Sequence, residues 1–340
     1  MALLPLFVPV LMSTMALIVA PGQCFPVKMN LSTWMTDNHN KLRDIPLIDL
    51  AIPGSHNSGA YWLDEHGALA SDQPGLLKFY ILFIPKLRQI VRNYALTQSL
   101  DVLGQLKKGV RHLDIRVAMH EGEFHVYHGF YGHLLTSVLQ QVNDFLVTNR
   151  HAVIFLGINR CLDCSSDDIT ELGHIINDVF TGKIFQMPSK DPFKTTLNDL
   201  RIIGKQLIVF FDAPGHSFPF WPQDSVYSPY NDVLTPDLLI AELDDMVPVP
   251  RKFNNYQAIL SPDKDYVLSN SNGSLKELAE IANPVVADWL DGKISRCKAG
   301  IPANHKMTML WIDFVGDVNE IESKVIWLNK INQCNGFSRH

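Results

Sequence analysis

Several things are scarce in this 340-residue chain, and each scarcity excludes something. Lysine and arginine number 29 against 35 aspartates and glutamates, a net charge of −6, and no basic run offsets it. Long-range attraction to nucleic acid or an anionic membrane is therefore missing, and any membrane contact has to be local. No glycine-rich loop follows the first apolar strand pattern, so the phosphate cradle of a dinucleotide-binding sheet is absent. Beside Cys161 and Cys164 there is no second close Cys/His pair to complete a zinc tetrad. Repeats, low-complexity tracts and linkers are missing too, and with 46% hydrophobic and 19% charged residues the composition is that of a globular protein.

The first 24 residues, "MALLPLFVPVLMSTMALIVAPGQC", carry no charged side chain and end in small residues. That is the profile of a secretory signal peptide, with cleavage expected near residues 22 to 24. An uncleaved anchor is the alternative, disfavoured by Pro5 and Pro9 within a stretch barely long enough to span a bilayer. The division expected is a signal peptide over 1–24 and one barrel over 25–340. Loss of Cys24 leaves Cys161, Cys164, Cys297 and Cys334, an even set with several possible pairings. Sequons at Asn30 and Asn272 agree with an extracellular route.

Short β-rich runs ("LIDLAIPG", "VRHLDIRVAM", "FHVYHGF", "AVIFLGINR", "KQLIVFFDA", "YQAILS", "MTMLWIDFV") alternate with amphipathic stretches such as "LLTSVLQQVNDFLVTN". This order predicts parallel strands with helical crossovers in an α/β fold, a single distorted TIM-like (β/α) barrel, with a doubly wound open sheet as runner-up. In "IDLAIPGSH" the strand is expected to close at Pro53 and Gly54, leaving His56 where it emerges into a loop. In "GVRHLDIRVA" alternation puts His112, Asp114 and Arg116 on one face and Leu113, Ile115 and Val117 on the other. The polar face looks into the lumen or its mouth, where an Asp114–Arg116 ion pair or a ligand has to compensate burial.

His125 and His128 have opposite parity, and the glycine after His128 marks a strand end, so His128 is the one expected to reach the site. Asp313, in the apolar "MLWIDFV", needs a partner, and a histidine is a natural one. Together these residues suit a phosphodiester. His56 removes a proton from an attacking hydroxyl with Asp313 behind it, Arg116 neutralises the phosphate, and His128 protonates the leaving oxygen.

On "STWMTDNHNKLRDIPLIDLAIPGSH", "LTQSLDVLGQLKKGVRHLDIRVA" and "MLWIDFVGDVNEI", the chain resembles the phosphatidylinositol-specific phospholipase C X-domain-containing proteins and the small bacterial enzymes of that superfamily. The resemblance spans nearly all of residues 32 to 330. It implies a TIM-like barrel with His56 as general base, His128 as general acid, Asp313 as partner of His56 and Arg116 at the phosphate; Asp114, from the polar face of the same strand as Arg116, completes the catalytic candidates. It further implies cleavage of an inositol phospholipid or glycosylphosphatidylinositol anchor by the inositol 2-hydroxyl, giving diacylglycerol and a cyclic phosphate.

Departures from the family pattern matter. Arg116 stands where calcium-dependent relatives place a carboxylate, so metal independence is expected, with no cofactor. Asn57 replaces an aspartate of the bacterial pattern, and Ile158 stands where a basic residue is expected, with Arg160 as a substitute two residues on. Each lost charge costs about 1 to a few kcal/mol of transition-state stabilisation, hence about ten- to a thousandfold in rate. Asp212 is a candidate for reading inositol hydroxyls or for capping the loop that follows. A catalytically weak barrel that binds a phospholipid head group or a protein partner is therefore the alternative reading, and a metal-dependent phosphodiesterase of similar fold a third.

"GLLKFYILFIPKLRQIVRNY", residues 75 to 94, mixes apolar bulk with Lys78, Lys86, Arg88 and Arg92 and suits an interfacial segment, the alternative being a cover for the barrel. "FPFWP", 218 to 222, is a second candidate for the rim or else a buried anchor. The expected partner is a phospholipid at a membrane surface, with no nucleic acid, and the expected state is an extracellular, secreted monomer.

Overall fold

The computed structural model describes residues 29–213, 218–299, 307–317 and 320–329. The signal-peptide reading, Cys24 and Cys334 lie outside the described residues. Nine strands form the frame: β1 (Ile52–Ser55), β2 (His112–His120), β3 (Glu123–His128), β4 (Phe130–Leu134), β5 (Ile154–Leu162), β6 (Leu207–Phe210), β7 (Val226–Tyr227), β8 (Phe253–Gln257) and β9 (Met309–Ile312). Seven of them run β6-β5-β2-β1-β9-β8-β7, every neighbouring pair parallel. Helices such as Leu135–Thr148, Ser166–Val179 and Leu275–Lys298 supply crossovers. This is the expected distorted (β/α) barrel. Among the described residues the ladder stays open between β6 and β7, which only a Phe210–Trp221 bridge approaches.

Two expectations need correcting. β1 does not close at Pro53 and Gly54 but contains them, while Leu47–Asp49 form a 3-10 turn. Pro53 is tolerated because its carbonyl accepts from the Arg111 N–H while its neighbour Ile52 donates to Thr308. Gly54 is demanded by packing, since a Cβ there would lie 2.6 Å from the Trp311 ring. The "FHVYHGF" strand is antiparallel, not parallel: β3 pairs with the upper half of β2 and turns into β4 as a hairpin. β1 ends at Ser55, which frees the upper edge of β2 for β3.

Alternation sorts the apolar residues into two cores. Leu113, Ile115, Val117, Ile154, Leu156 and Ile158 face the helical shell, against Val138, Leu139, Val142, Leu172 and Ile176. Ile52, Val153, Phe155, Ile208, Phe253 and Met309 fill the lower lumen, joined there by Trp34 and Met35 from the N-terminal helix Trp34–Asp37. The Trp34 indole N–H donates to the Gly109 carbonyl, fixing this plug.

Cys161 and Cys164 are disulfide-bonded to each other, and Cys297 is in a disulfide as well. No helix of the described residues is long and apolar enough to cross a membrane.

Candidate active site

The site begins at the top of β1. Asn57 takes a left-handed conformation, φ 39°, and turns the chain sharply after His56. Asp114 pins the turn: its Oδ2 accepts from the Asn57 backbone N–H at 2.9 Å, its carbonyl accepts from the Ser58 N–H, and its own N–H donates to Ser58 Oγ. Asp114 Oδ1 accepts from the Asn159 amide. Asp114 therefore pairs with neutral donors and with no arginine in an ion pair among the described residues, so of the two alternatives for this face the Asp114–Arg116 ion pair is not the one formed.

Gln98 is a site residue the sequence did not reveal. Its amide donates to the carbonyls of His56 and Ile312, and its oxygen accepts from the Val315 N–H, tying the ends of β1 and β9 together. The Asn283 amide, on helix Leu275–Lys298, donates to the Asp313 carbonyl. Thus Asp313 is held from behind and its Oδ1 meets His56 Nδ1 at 2.8 Å, both residues buried. With Nδ1–H donating to the carboxylate, the neutral His56 ring keeps its lone pair on Nε2, the arrangement of an oriented general base.

His128 arrives on β3, as its parity predicts. Its Nδ1–H donates to the Ala95 carbonyl at 2.6 Å, leaving Nε2 free, and its ring stands edge-on to His56 with centroids 6.5 Å apart. Burial and the nearby Arg116 guanidinium lower the His128 pKa to about 3, so the unliganded ring is neutral. His125 is a packing residue instead, bonded to the Gly132 carbonyl and placed against His120 and Tyr131.

A cavity of about 230 Å³ opens between these strands, lined among others by His112, Asp114, Arg116, Asn159, Gln257 and Trp311. Arg116 is the cation in that wall. Among the described residues, no three His, Cys, Asp or Glu side chains converge as a metal site.

The substrate-binding candidates fare unequally. Ile158 is not the lumen position: it is buried in the shell core, and Asn159 faces the cavity instead. Alternation alone does this, since Ile158 pairs with Ile115 and shares the shell face of Ile154 and Leu156; the β-bulge that follows, with Asn159 as the extra residue, instead brings Arg160 into register with Arg116. Arg160 is brought level with Arg116, but its guanidinium pairs with Asp72 at 3.2 Å and is about half exposed. The Asn57 side-chain amide is buried and bonds no protein group among the described residues, so only its backbone serves the site. Asp212 is exposed and its Oδ1 accepts from the Gln223 N–H, the loop-capping alternative.

Around the rim, the two aromatic segments separate. Trp221 of "FPFWP" is fully buried and its indole donates to the Phe185 carbonyl, so this segment anchors a loop. Residues 75–84 instead expose Leu76 (73%), Phe79 (56%), Leu82 (67%) and Phe83 (68%), while Leu77 and Ile81 pack inward.

Comparisons with known proteins bear on the fold around this site. Residues 90–210 match the family model "Phosphatidylinositol-specific phospholipase C, X domain". The chain is 25% identical to human PI-PLC X domain-containing protein 3, covering 89% of this chain and 95% of that protein. Over most of its length the chain is thus similar to the PI-PLC X domain-containing proteins. Mouse PI-PLC X domain-containing protein 2 is 28% identical, covering 88% of this chain and 87% of that protein. Among solved structures, the phosphatidylinositol-specific phospholipase C of Listeria monocytogenes superposes with a TM-score of 0.59 at 17% identity, covering 88% of this chain and 99% of that one. A mutant of the Staphylococcus aureus phosphatidylinositol-specific phospholipase C gives 0.56 at 18% identity, covering 88% of this chain and 96% of that one. These likenesses support the distorted TIM-like barrel fold.

Proposed function

We propose that this chain is a secreted, metal-independent phosphodiesterase of the phospholipase C type, acting as a monomer on inositol phospholipids or glycosylphosphatidylinositol anchors. One observation carries the reading: the Asp313–His56 pair faces His128 across 6.5 Å, with the Arg116 guanidinium near enough to His128 to help lower its pKa. His56 Nε2 takes the proton of the inositol 2-hydroxyl. That oxygen forms a bond to phosphorus, the bond from phosphorus to the glycerol oxygen breaks, and protonated His128 gives its proton to the departing diacylglycerol. The product ring holds a cyclic phosphodiester, and Asp313 stabilises the imidazolium left on His56.

Arg116 supplies the charge for the phosphate oxygens, which is why no divalent cation is required. His128 is neutral in the free protein, so the bound anion has to raise its proton affinity by offsetting Arg116. The exposed strip Leu76, Phe79, Leu82 and Phe83 brings the mouth to the lipid, each side chain gaining about 1.5–3 kcal/mol on full burial. Residues 1–24 act as the signal peptide, and the exposed sequons at Asn30 and Asn272 take glycans.

A second reading, a barrel that binds the head group without turning it over, is favoured by neutral Asn159 on the lumen face and by the unprotonated state of free His128. Phosphatidylinositol cleavage by the secreted protein in excess EDTA, beside a His56→Ala variant, decides between them. Chelator-resistant release of cyclic inositol phosphate that the variant lacks supports the enzyme. Binding of lipid without release supports the second reading.

A further inference from the structure

His112 lies two residues below Asp114 on the lumen face of β2 and lines the cavity, 1% exposed. Its Nδ1 lies 2.7 Å from the Trp311 indole nitrogen. An indole N–H only donates, so Nδ1 must accept and the neutral ring carries its proton on Nε2. Burial keeps the ring neutral by lowering its pKa to about 3. Gly54 makes this possible, because any Cβ there would collide with Trp311. Among the described residues the ring's one protein hydrogen bond is that at Nδ1, and the Nε2–H is left to the cavity that His112 lines. The cavity therefore holds a donor without a protein acceptor, a costly arrangement unless water or a ligand supplies one.

The adjoining wall has the opposite need. Gln223 directs its amide N–H groups to the Ile158 carbonyl and the Asn159 oxygen, and Gln257 directs its own to Ser228. Their side-chain oxygens are left as acceptors. A donor on the floor and acceptors on the wall match hydroxyl groups, which both accept and donate, and repel a further phosphate.

We propose that His112 is a specificity-determining residue of the head-group site: its Nε2–H, oriented by Trp311, donates to a hydroxyl oxygen of an unphosphorylated polyol ring. This rests on the phosphodiesterase reading for its substrate, but not for its binding test. His112→Phe keeps the ring and removes the donor, whereas His112→Gln places an amide N–H at the reach of Nε2. The Phe variant is expected to raise KM for phosphatidylinositol about tenfold with a smaller change in kcat, and to weaken binding of myo-inositol similarly. The Gln variant should recover most of both losses at equal melting temperature. In the wild type, the ¹⁵N-detected His112 Nε2–H resonance should shift when myo-inositol is added.

Unchanged KM and inositol affinity in folded His112→Phe overturn the inference and leave the phosphodiesterase reading standing. Should that variant not fold, a wild-type Nε2–H resonance unmoved by bound inositol overturns it equally. Inositol binding that needs His112 without any lipid cleavage supports the inference and removes the catalytic reading. A wild type that neither binds inositol nor cleaves lipid removes both.

Discussion

The two ends of the lumen are built by the same strands and do different work. At the lower end Ile52, Phe155, Ile208, Phe253 and Met309 pack as a dry core. Four residues beyond Phe155 and Phe253 on the same strand faces come Asn159 and Gln257, and just beyond the ends of β1 and β9 come His56 and Asp313. The lower end can be apolar because nothing reaches it but side chains, whereas the upper end opens to a cavity whose polar walls are held largely by one another. The contrast teaches that in this barrel a few ångströms along one strand separate folding energy from chemistry.

The widest way to break the contrast is at its two poles. His56→Ala should lower phosphodiesterase kcat by about 10²–10⁴-fold, and Asp313→Asn by about 10⁴-fold if the tautomer is its main task, with the urea midpoint little moved. Phe155→Ala at the lower end should do the reverse, costing about 3–5 kcal/mol in denaturant unfolding while the folded fraction keeps its kcat. A large kcat loss from Phe155→Ala at full folding would show that the ends are not independent.

Acid titration sharpens the same comparison, because the upper end holds the histidines. The pKa values of His112 and His128 are both lowered to about 3 from an unfolded value near 6.5. Between those values the unfolded chain binds protons that the folded chain does not, so stability is complete above about pH 6.5 and declines as pH falls toward 3. The slope is at most about 1.4 kcal/mol per pH unit for each histidine. Melting temperatures from pH 7 to 4 should fall accordingly, and His112→Phe should flatten the curve. An unchanged slope in that variant would contradict the burial of a neutral ring.

Outside the lumen the effects are smaller. Replacing Leu82 and Phe83 together with aspartate should weaken sedimentation with phosphatidylinositol vesicles by more than about tenfold, leaving hydrolysis of a water-soluble cyclic inositol phosphate within about twofold. Equal losses on both substrates would mean that the strip supports the site rather than the membrane. Asp72→Asn should be the mildest, since its pair with Arg160 is partly exposed and such pairs contribute about 0–1 kcal/mol. A larger loss in thermal unfolding would assign the Asp72–Arg160 pair a structural task.

Parity made much of the site legible beforehand. His112, Asp114 and Arg116 share a face because β2 is regular up to Ile115, and His128 rather than His125 reaches the site for the same reason. Ile158 was misplaced against the alternation itself, since Ile154, Leu156 and Ile158 share the shell face; what alternation could not show is the bulge in β5 that brings Arg160 level with Arg116. Gln98 escaped because it acts by bonding backbone from a segment with no periodicity at all. Asp114 was foreseen in the lumen but not its partners, since the choice between an arginine and a turn backbone depends on how β1 ends.

By itself the sequence determined the strand order of chemistry: a histidine after β1, a polar face on β2, a histidine ending β3 and a carboxylate after β9. Local periodicity and the cost of burying charge are enough to fix those. Only the tertiary structure decided that β3 pairs antiparallel above a shortened β1, bringing His128 beside His56, and that Trp311 lies over Gly54 against His112. Those outcomes depend on where β1 and β9 end beside β2, and a one-dimensional pattern contains no information about which edge of a strand is left open or which ring fills the space over a missing side chain.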